Sequence, residues 1–173
     1  AGAEKLNENV RKEFKIKFGI EIYEGYGTTE TAPVVSVNTP NVLEPDFFKE
    51  LHFNREKSVG LPLAGTVIKI TDPASLQPLP NGQEGLILIG GHQVMKEYYD
   101  EPVKTAEAIA QMDGVRYYKS GDIGYIDDDG FLFITDRLSR FAKIGGEMIS
   151  LGAVESAVGE ILGESAIYSC VNL

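Results

Sequence analysis

The stretch GYIDDDGFLFITDR, residues 124–137, decides the fold class of this chain. Short apolar runs stand on both sides of an Asp-Gly step, which reads as a β-hairpin built on that turn. Working upstream, TVIKITD (66–72) alternates, LPNGQEG (79–85) carries an Asn-Gly turn, and LILIG (86–90) is a short buried-strand run. A helix interrupts these strands, opened by Asp100 as N-cap with Pro102 in its first turn, and running to about Gln111. Residues 58–136 are therefore expected to form a small, mostly antiparallel β-domain, a twisted sheet or partly open barrel.

The flanks have a different texture. Leu6, Val10, Phe14 and Phe18 recur every four residues among Glu, Lys and Asn, which predicts an amphipathic helix. Lys15 and Lys17 in its last turn and Gly19 after it suit a helix C-terminus. Residues 20–23 read as a buried strand, and 38–56, with Pro, Asn, Asp and Phe but no period, as an irregular segment. After Arg137 comes a basic loop, LSRFAKIGGEMIS (138–150), then a helix with Ser150 as N-cap. Val154, Val158, Ile161 and Leu162 make its apolar stripe and Gly163 ends it. SAIYSCVNL (165–173) reads as a strand. A terminal helix and strand cannot close a core, so the chain reads as a fragment or as one that takes a missing layer from a partner. The expected class is α+β.

The chain has 173 residues, ordinary apolar content and no apolar run long enough to span a bilayer. The single cysteine, Cys170, allows no internal disulfide and fits a reducing cytoplasm. His52 and His92 lack ligand-like spacing, which argues against zinc. A net charge of -10 disfavours nucleic acid and anionic lipid as partners of the general surface, though not a small cationic pocket.

Chemistry is concentrated in a few segments. EGYGTTETAP (24–33) packs small residues, hydroxyls and the acid Glu30 into one loop, more than a plain turn requires. Small residues admit close backbone approach, hydroxyls can bond anionic oxygens, and a carboxylate can hold a hard cation. YKSGD (118–122) precedes a strand: Asp122 reads as a turn residue, or as an acid placed to accept both hydroxyls of a ribose. DRLSRFAKIGGE (136–147) reads as a basic linker with a glycine hinge, or as a phosphate site in which Arg137 and Lys143 offset charge beside Gly145 and Gly146. The aspartates of the hairpin turn could suggest an EF-hand loop, but Tyr125 stands at the first ligand position, so Asp127 to Asp129 are expected to be solvated turn residues.

Taken in order, YEGYGTTE, VGLPLAGTVIKI…GLILIGGHQVMKEYY, YYKSGDIGYIDDDGFLFITDR and FAKIGGEMISLGAVE resemble the adenylate-forming superfamily of acyl-activating enzymes. Residues 1–57 would then end a large α/β subdomain, 58–137 form the small β-barrel-like subdomain, and 138–173 hold the hinge and the start of an α+β C-terminal domain. The resemblance implies that Tyr26 and Gly27 pack beside the adenine of ATP or AMP, Thr29 bonds the α-phosphate, Glu30 coordinates Mg2+, and Asp122 with Arg137 holds the ribose. Thr29 and Glu30 would be the catalytic pair. In this family the residue two after the arginine, usually Asp or Lys, is the pivot of the C-terminal domain. Here it is Ser139.

The RFAKIGGEMISL run (140–151) is most similar to the acyl-acyl carrier protein synthetase domain of bacterial 2-acylglycerophosphoethanolamine acyltransferases. That similarity implies a fatty acid as substrate, acyl carrier protein as acceptor, a role in phospholipid acylation, and a parent at the cytoplasmic face of the inner membrane. An acyl-CoA synthetase using coenzyme A is the alternative within the class. A non-catalytic nucleotide- or partner-binding module is the alternative outside it. The family's TSGTTGxPKG-type loop and its late C-terminal lysine do not occur in the sequence. Both stabilise transition-state charge, so the fragment alone is expected to be nearly inactive.

Overall fold

The run Gly85–Gly91 (GLILIGG) carries no polar side chain, and its first six residues are buried. A strand buried on both faces must lie at the centre of a sheet. The computed structural model describes residues 1–4, 6–46, 48–144 and 147–162, and places this run there.

In chain order the elements are α1 (Glu8–Phe18), β1 (Gly25–Tyr26), a 3-10 turn (Thr29–Thr31), β2 (Ser36–Val37), β3 (Val42–Glu44) and β4 (Lys49–Leu51). Then come β5 (Leu61–Pro62), β6 (Thr66–Thr71), β7 (Gly85–Gly91), α2 (Pro102–Ala108), β8 (Ile109–Met112), β9 (Val115–Ile126) and β10 (Leu132–Arg137). A second 3-10 turn (Leu138–Arg140), β11 (Phe141–Ile144), β12 (Glu147–Ser150) and α3 (Leu151–Leu162) follow. The main sheet has the order β10-β9-β7-β6 with β8 also on β9, all antiparallel. It is the expected small antiparallel β-domain.

Alternate side chains of β7 serve two cores. Ile87 and Ile89 pack with Val35, Ile70, Tyr118 and Leu132 on one face. Leu86 and Leu88 pack with Tyr117 and Ile123 on the other, where Leu138 and Phe141 from the segment after β10 join them. The hairpin that decides the fold is present, with Tyr125 and Phe133 directly paired and stacked 4.7 Å apart.

Several details differ from the sequence reading. The helix after Asp100 starts from Glu101 and stops at Ala108, because residues 109–112 pair with β9 through an Asp113-Gly114 turn whose two residues both have positive φ. Asp100 itself has φ 53°, outside N-cap geometry. Residues 20–23 form no strand. Their neighbourhood bonds instead to the first residue, Ala1 N to Tyr23 O at 2.6 Å and Gly25 N to Ala1 O at 2.9 Å. Residues 38–56 contain the β3–β4 hairpin, whose register runs from Val42↔Leu51 to Glu44↔Lys49. Asp127 and Asp129 are not merely solvated: Arg55 bridges both while lying over the Phe131 ring.

Helix α1 forms with Asn7 as N-cap and Gly19 closing it, yet Val10 and Phe18 of its stripe are more than half exposed, and Arg11 is its buried residue. Ser150 caps α3 as expected, accepting from Ala153 N at 3.0 Å, while Val154, Ile161 and Leu162 are exposed. Gly145, Gly146, Gly163 and the strand expected at 165–173 lie outside the described residues.

Candidate active site

Two irregularities in the main sheet aim the site. Between β7 and β9, Leu86 faces Ile123 and Leu88 faces Lys119, so extra residues of β9 bulge out between them. The bulge is Ser120-Gly121-Asp122. Ser120 Oγ donates to Ile87 O at 2.9 Å and accepts from Asp122 N at 3.1 Å, and Gly121 has φ 75°. Between β9 and β10 the register slips at Thr135, which brings Arg137 directly opposite Asp122. Two bulges thus convert a plain ladder into a facing acid–base pair.

Asp122 is 8% exposed and holds two donors. Tyr26 Oη donates to its Oδ2 at 2.6 Å, and Arg137 Nε lies 3.4 Å from its Oδ1. Burial pushes the Tyr26 phenol far above its ordinary pKa, and the Asp122 charge pushes it further, so Tyr26 stays a donor. A carboxylate has about four lone-pair sites, which leaves Asp122 able to accept two more hydroxyls.

Glu30 sits in the 3-10 turn that follows β1. Thr28 N donates to Thr31 Oγ1 at 3.1 Å, and the Thr31 hydroxyl donates back to Thr28 O at 3.0 Å. Thr31 is fully buried and serves the turn, whereas Thr29 is exposed. Gly27 has no room for a side chain, since a Cβ would collide with the Pro33 carbonyl. The close approach its type permits is therefore first of all an approach of the chain to itself.

Glu30 Oε1 accepts from Tyr98 Oη at 2.7 Å. Burial raises the Glu30 pKa, but hydrogen bonds from Tyr98, the Glu30 backbone, Thr28 and Tyr118 outweigh it and hold Glu30 below its ordinary value. Sequence reasoning missed Tyr98, Tyr118 and Thr31. Only the adjacent tyrosines of KEYYD hinted at the first, and nothing local told which one turns inward.

A cavity of about 440 Å3 lies over Gly25, Tyr26, Val59, Ile134 and Thr135. A second, of about 840 Å3, lies over Thr29, Glu30, Tyr118, Ser120 and Ser139. Ala3, Gly27, Thr28, Asp122 and Arg137 line both. Tyr26, Gly27, Thr29, Glu30, Asp122 and Arg137 therefore line two adjoining cavities, with Gly27, Asp122 and Arg137 common to both. Lys143 lies in β11 opposite Met148. Arg140, which also lines the smaller cavity, pairs with Glu155 and Asp136.

A family model described as "AMP-binding enzyme" matches residues 1–99. The chain belongs to that family. Over 157 residues it is 35% identical to a 4-coumarate–CoA ligase of Arabidopsis thaliana, covering 90% of this chain and 26% of the relative. Over 148 residues it is 32% identical to the putative acyl–CoA ligase YdaB of Bacillus subtilis, covering 86% of this chain and 27% of that one. The chain thus spans about a quarter of the length of these curated relatives. Among solved structures it resembles AMP-bound O-succinylbenzoate coenzyme A synthetase from Bacillus subtilis, with TM-score 0.70, 28% identity, and 97% of this chain and 31% of that one covered. It also resembles ATP-bound MatB from Rhodopseudomonas palustris, with TM-score 0.72, 27% identity, and 91% and 29% covered. The family and the mixed α and β architecture with its curled antiparallel sheet agree with the resemblance read from the motifs; the relation to acyl carrier protein synthetases has no counterpart among these relatives.

Proposed function

We propose that this chain supplies the ribose-side and metal-side walls of the active site in an AMP-forming acid–thiol ligase. The observation that carries the reading is the pair of adjoining cavities in which Asp122 and Arg137 are common to both, Tyr26 lines one and Glu30 the other. Residues 1–57 belong to the large subdomain, 58–137 are the small β-subdomain, and 138–173 contain the hinge at Ser139 and the start of the C-terminal domain. Tyr26 and Gly27 flank the adenine, Asp122 accepts the ribose hydroxyls with Arg137 beside it, and Thr29 bonds the α-phosphate. A substrate carboxylate oxygen attacks the α-phosphorus, the bond to the β-phosphate bridging oxygen breaks, and pyrophosphate leaves. A thiol sulfur then attacks the acyl carbon of the adenylate, its proton going to solvent, and AMP leaves with the C–O electron pair.

Glu30, ionised and exposed to the larger cavity, fits a hard cation that takes its remaining ligands from phosphate and water. Mg2+ held there would offset charge on the phosphates. Coenzyme A as acceptor is supported by the names of the relatives, and long-chain fatty acid is one substrate class among the similar structures. Acyl carrier protein is the second reading, favoured by the RFAKIGGEMISL run, with Lys143, Gly145 and Gly146 beside the approaching thiol arm. Fatty acid activation for lipid acylation in the cytoplasm, at the membrane face, goes with that reading. Among the described residues no helix is long and apolar enough to cross a membrane.

The test uses the protein expressed from its complete native reading frame. Asp122→Ala should weaken ATP binding by about 1.5–3 kcal/mol for each lost charged hydrogen bond. Glu30→Gln should reduce acid-dependent pyrophosphate exchange by orders of magnitude. Exchange unchanged in both variants would refute the assignment, and thioester formation with coenzyme A and carrier protein in parallel names the acceptor.

A further inference from the structure

We propose that Tyr98 is a positioning residue that holds the Glu30 carboxylate in the orientation needed to take a phosphate-bound divalent cation. This rests on the reading of Glu30 as the acid that holds that cation. Tyr98 lies 68 residues from Glu30 in sequence, yet its hydroxyl donates to Glu30 Oε1 at 2.7 Å. The same segment grips the same residue by the backbone, Met95 N donating to Glu30 O at 2.7 Å. A segment that merely packed nearby would not converge twice on one residue.

The tyrosine is itself fixed. Its backbone N–H donates to Thr105 Oγ1 at 2.9 Å, and that hydroxyl donates to Glu101 O at 2.9 Å, tying Tyr98 to the start of α2. From the other side, Arg116 on β9 donates to Lys96 O at 2.8 Å and approaches Met95 O at 3.5 Å. Residues 95–98 thus form a strap, anchored on the sheet and on α2, whose Tyr98 hydroxyl meets Glu30 with Tyr118 beside it. The neighbouring Tyr99 is 89% exposed, so of two adjacent residues of identical chemistry one meets Glu30 and the other faces solvent.

The physical need is clear. A glutamate on a short 3-10 turn has several rotatable bonds, and ordering it when a cation binds would oppose binding. A donor on one carboxylate oxygen, held by a rigid scaffold, removes that cost before the ligand arrives. Tyr98 has no part in the bonds that form and break; it acts through Glu30.

The test compares Tyr98→Phe, which keeps the ring, with wild type, Glu30→Gln and Tyr99→Phe in the protein from its complete reading frame. Calorimetry would measure AMP binding with EDTA present and Mg·ATP binding with Mg2+ present, and pyrophosphate exchange would be titrated with Mg2+. Tyr98→Phe should weaken Mg·ATP on the order of tenfold, the loss of one charged hydrogen bond, with AMP binding unchanged and the Mg2+ titration shifted to higher concentration. Tyr99→Phe should match wild type throughout. Equal loss of AMP and Mg·ATP binding in Tyr98→Phe would show a merely structural contact and overturn the proposal, as would no change in either. If Glu30→Gln weakens Mg·ATP and Tyr98→Phe does not, only the Tyr98 inference falls; if Glu30→Gln leaves Mg·ATP binding intact, both readings fall.

Discussion

Asp122 engages both carboxylate oxygens within the protein, one with Tyr26 and one with Arg137. Tyr26 donates to one oxygen and Arg137, which can only donate, faces the other, so the site favours a carboxylate over an amide. Asp122→Asn would turn an NH2 group toward one of them and leave a nearly buried donor facing a donor. The expected cost is about 1–3 kcal/mol of stability, read by urea unfolding, together with weaker AMP binding. Stability unchanged in the asparagine variant would show that neither contact contributes. Glu30 carries a pH signature of its own. Its native pKa lies below the ordinary 4.5, so its ionised form contributes stability that is fully present above that value. The contribution disappears as pH falls through the lower native pKa. The stability difference between wild type and Glu30→Gln should therefore be constant from neutral pH down to about 4.5 and shrink below it. A difference that instead grew on acidification would contradict the hydrogen bonds assigned to Glu30. EGYGTTE and KSGD stood out in the sequence because they carry more hydroxyls, acids and small residues than a plain turn requires. Their partners were not, since Tyr98 reaches Glu30 only through the tertiary fold.

At the level of elements, what was legible is what local chemistry determines. The 124–137 hairpin, the alternating β6 and the apolar β7 were each specified by periodicity and by turn residues a few positions apart. The bulge at Ser120–Asp122 was not, because a bulge exists only relative to a partner strand, and β7 lies some thirty residues upstream. The α2 boundary failed for the same reason: pairing of Ile109 and Ala110 with β9 overrides helix propensity after Ala108. Residues 38–56 looked irregular because the β3–β4 strands are short, and Pro40 and Pro45 obscure their alternation. The bulge yields a prediction distinct from core packing. A Cβ at Gly121 would meet nothing within 4 Å, so Gly121→Ala pays only for its φ of 75°, roughly 1–2 kcal/mol. Because that strain falls on the residue before Asp122, AMP affinity should drop with it. Leu88→Ala removes a fully buried side chain from the second core face and should cost about 2–5 kcal/mol with little change in AMP affinity of the folded protein. Equal effects of the two substitutions on binding would mean that the bulge does not aim the acid.

Over the whole molecule, the two ends are held differently from the middle. The five-stranded sheet has apolar cores on both faces, and among the described residues neither core includes a side chain of α1 or α3. Helix α3 is joined to the sheet through polar contacts: Arg140 pairs with Glu155, and Asp136, the residue before Arg137, accepts from the Ser150 hydroxyl that caps the helix. Leu138 and Phe141, by contrast, pack into the second core. Apolar and polar anchors therefore interleave around the expected pivot Ser139, with Leu138 and Phe141 on the second core and Asp136 and Arg140 turned toward α3. Partly exposed ion pairs contribute little each, about 0–1 kcal/mol, so α3 should open without unfolding the sheet. Amide hydrogen exchange should show α3 exchanging well before β7 and β9. Arg140→Ala and Asp136→Asn should each accelerate exchange in α3 while leaving β7 protected. Leu138→Ala should act differently, lowering protection of the sheet as well, because it opens the second core. If instead α3 and β7 exchange together and respond alike to all three substitutions, then the polar contacts do not form a separable attachment and the helix belongs to the same cooperative unit as the sheet.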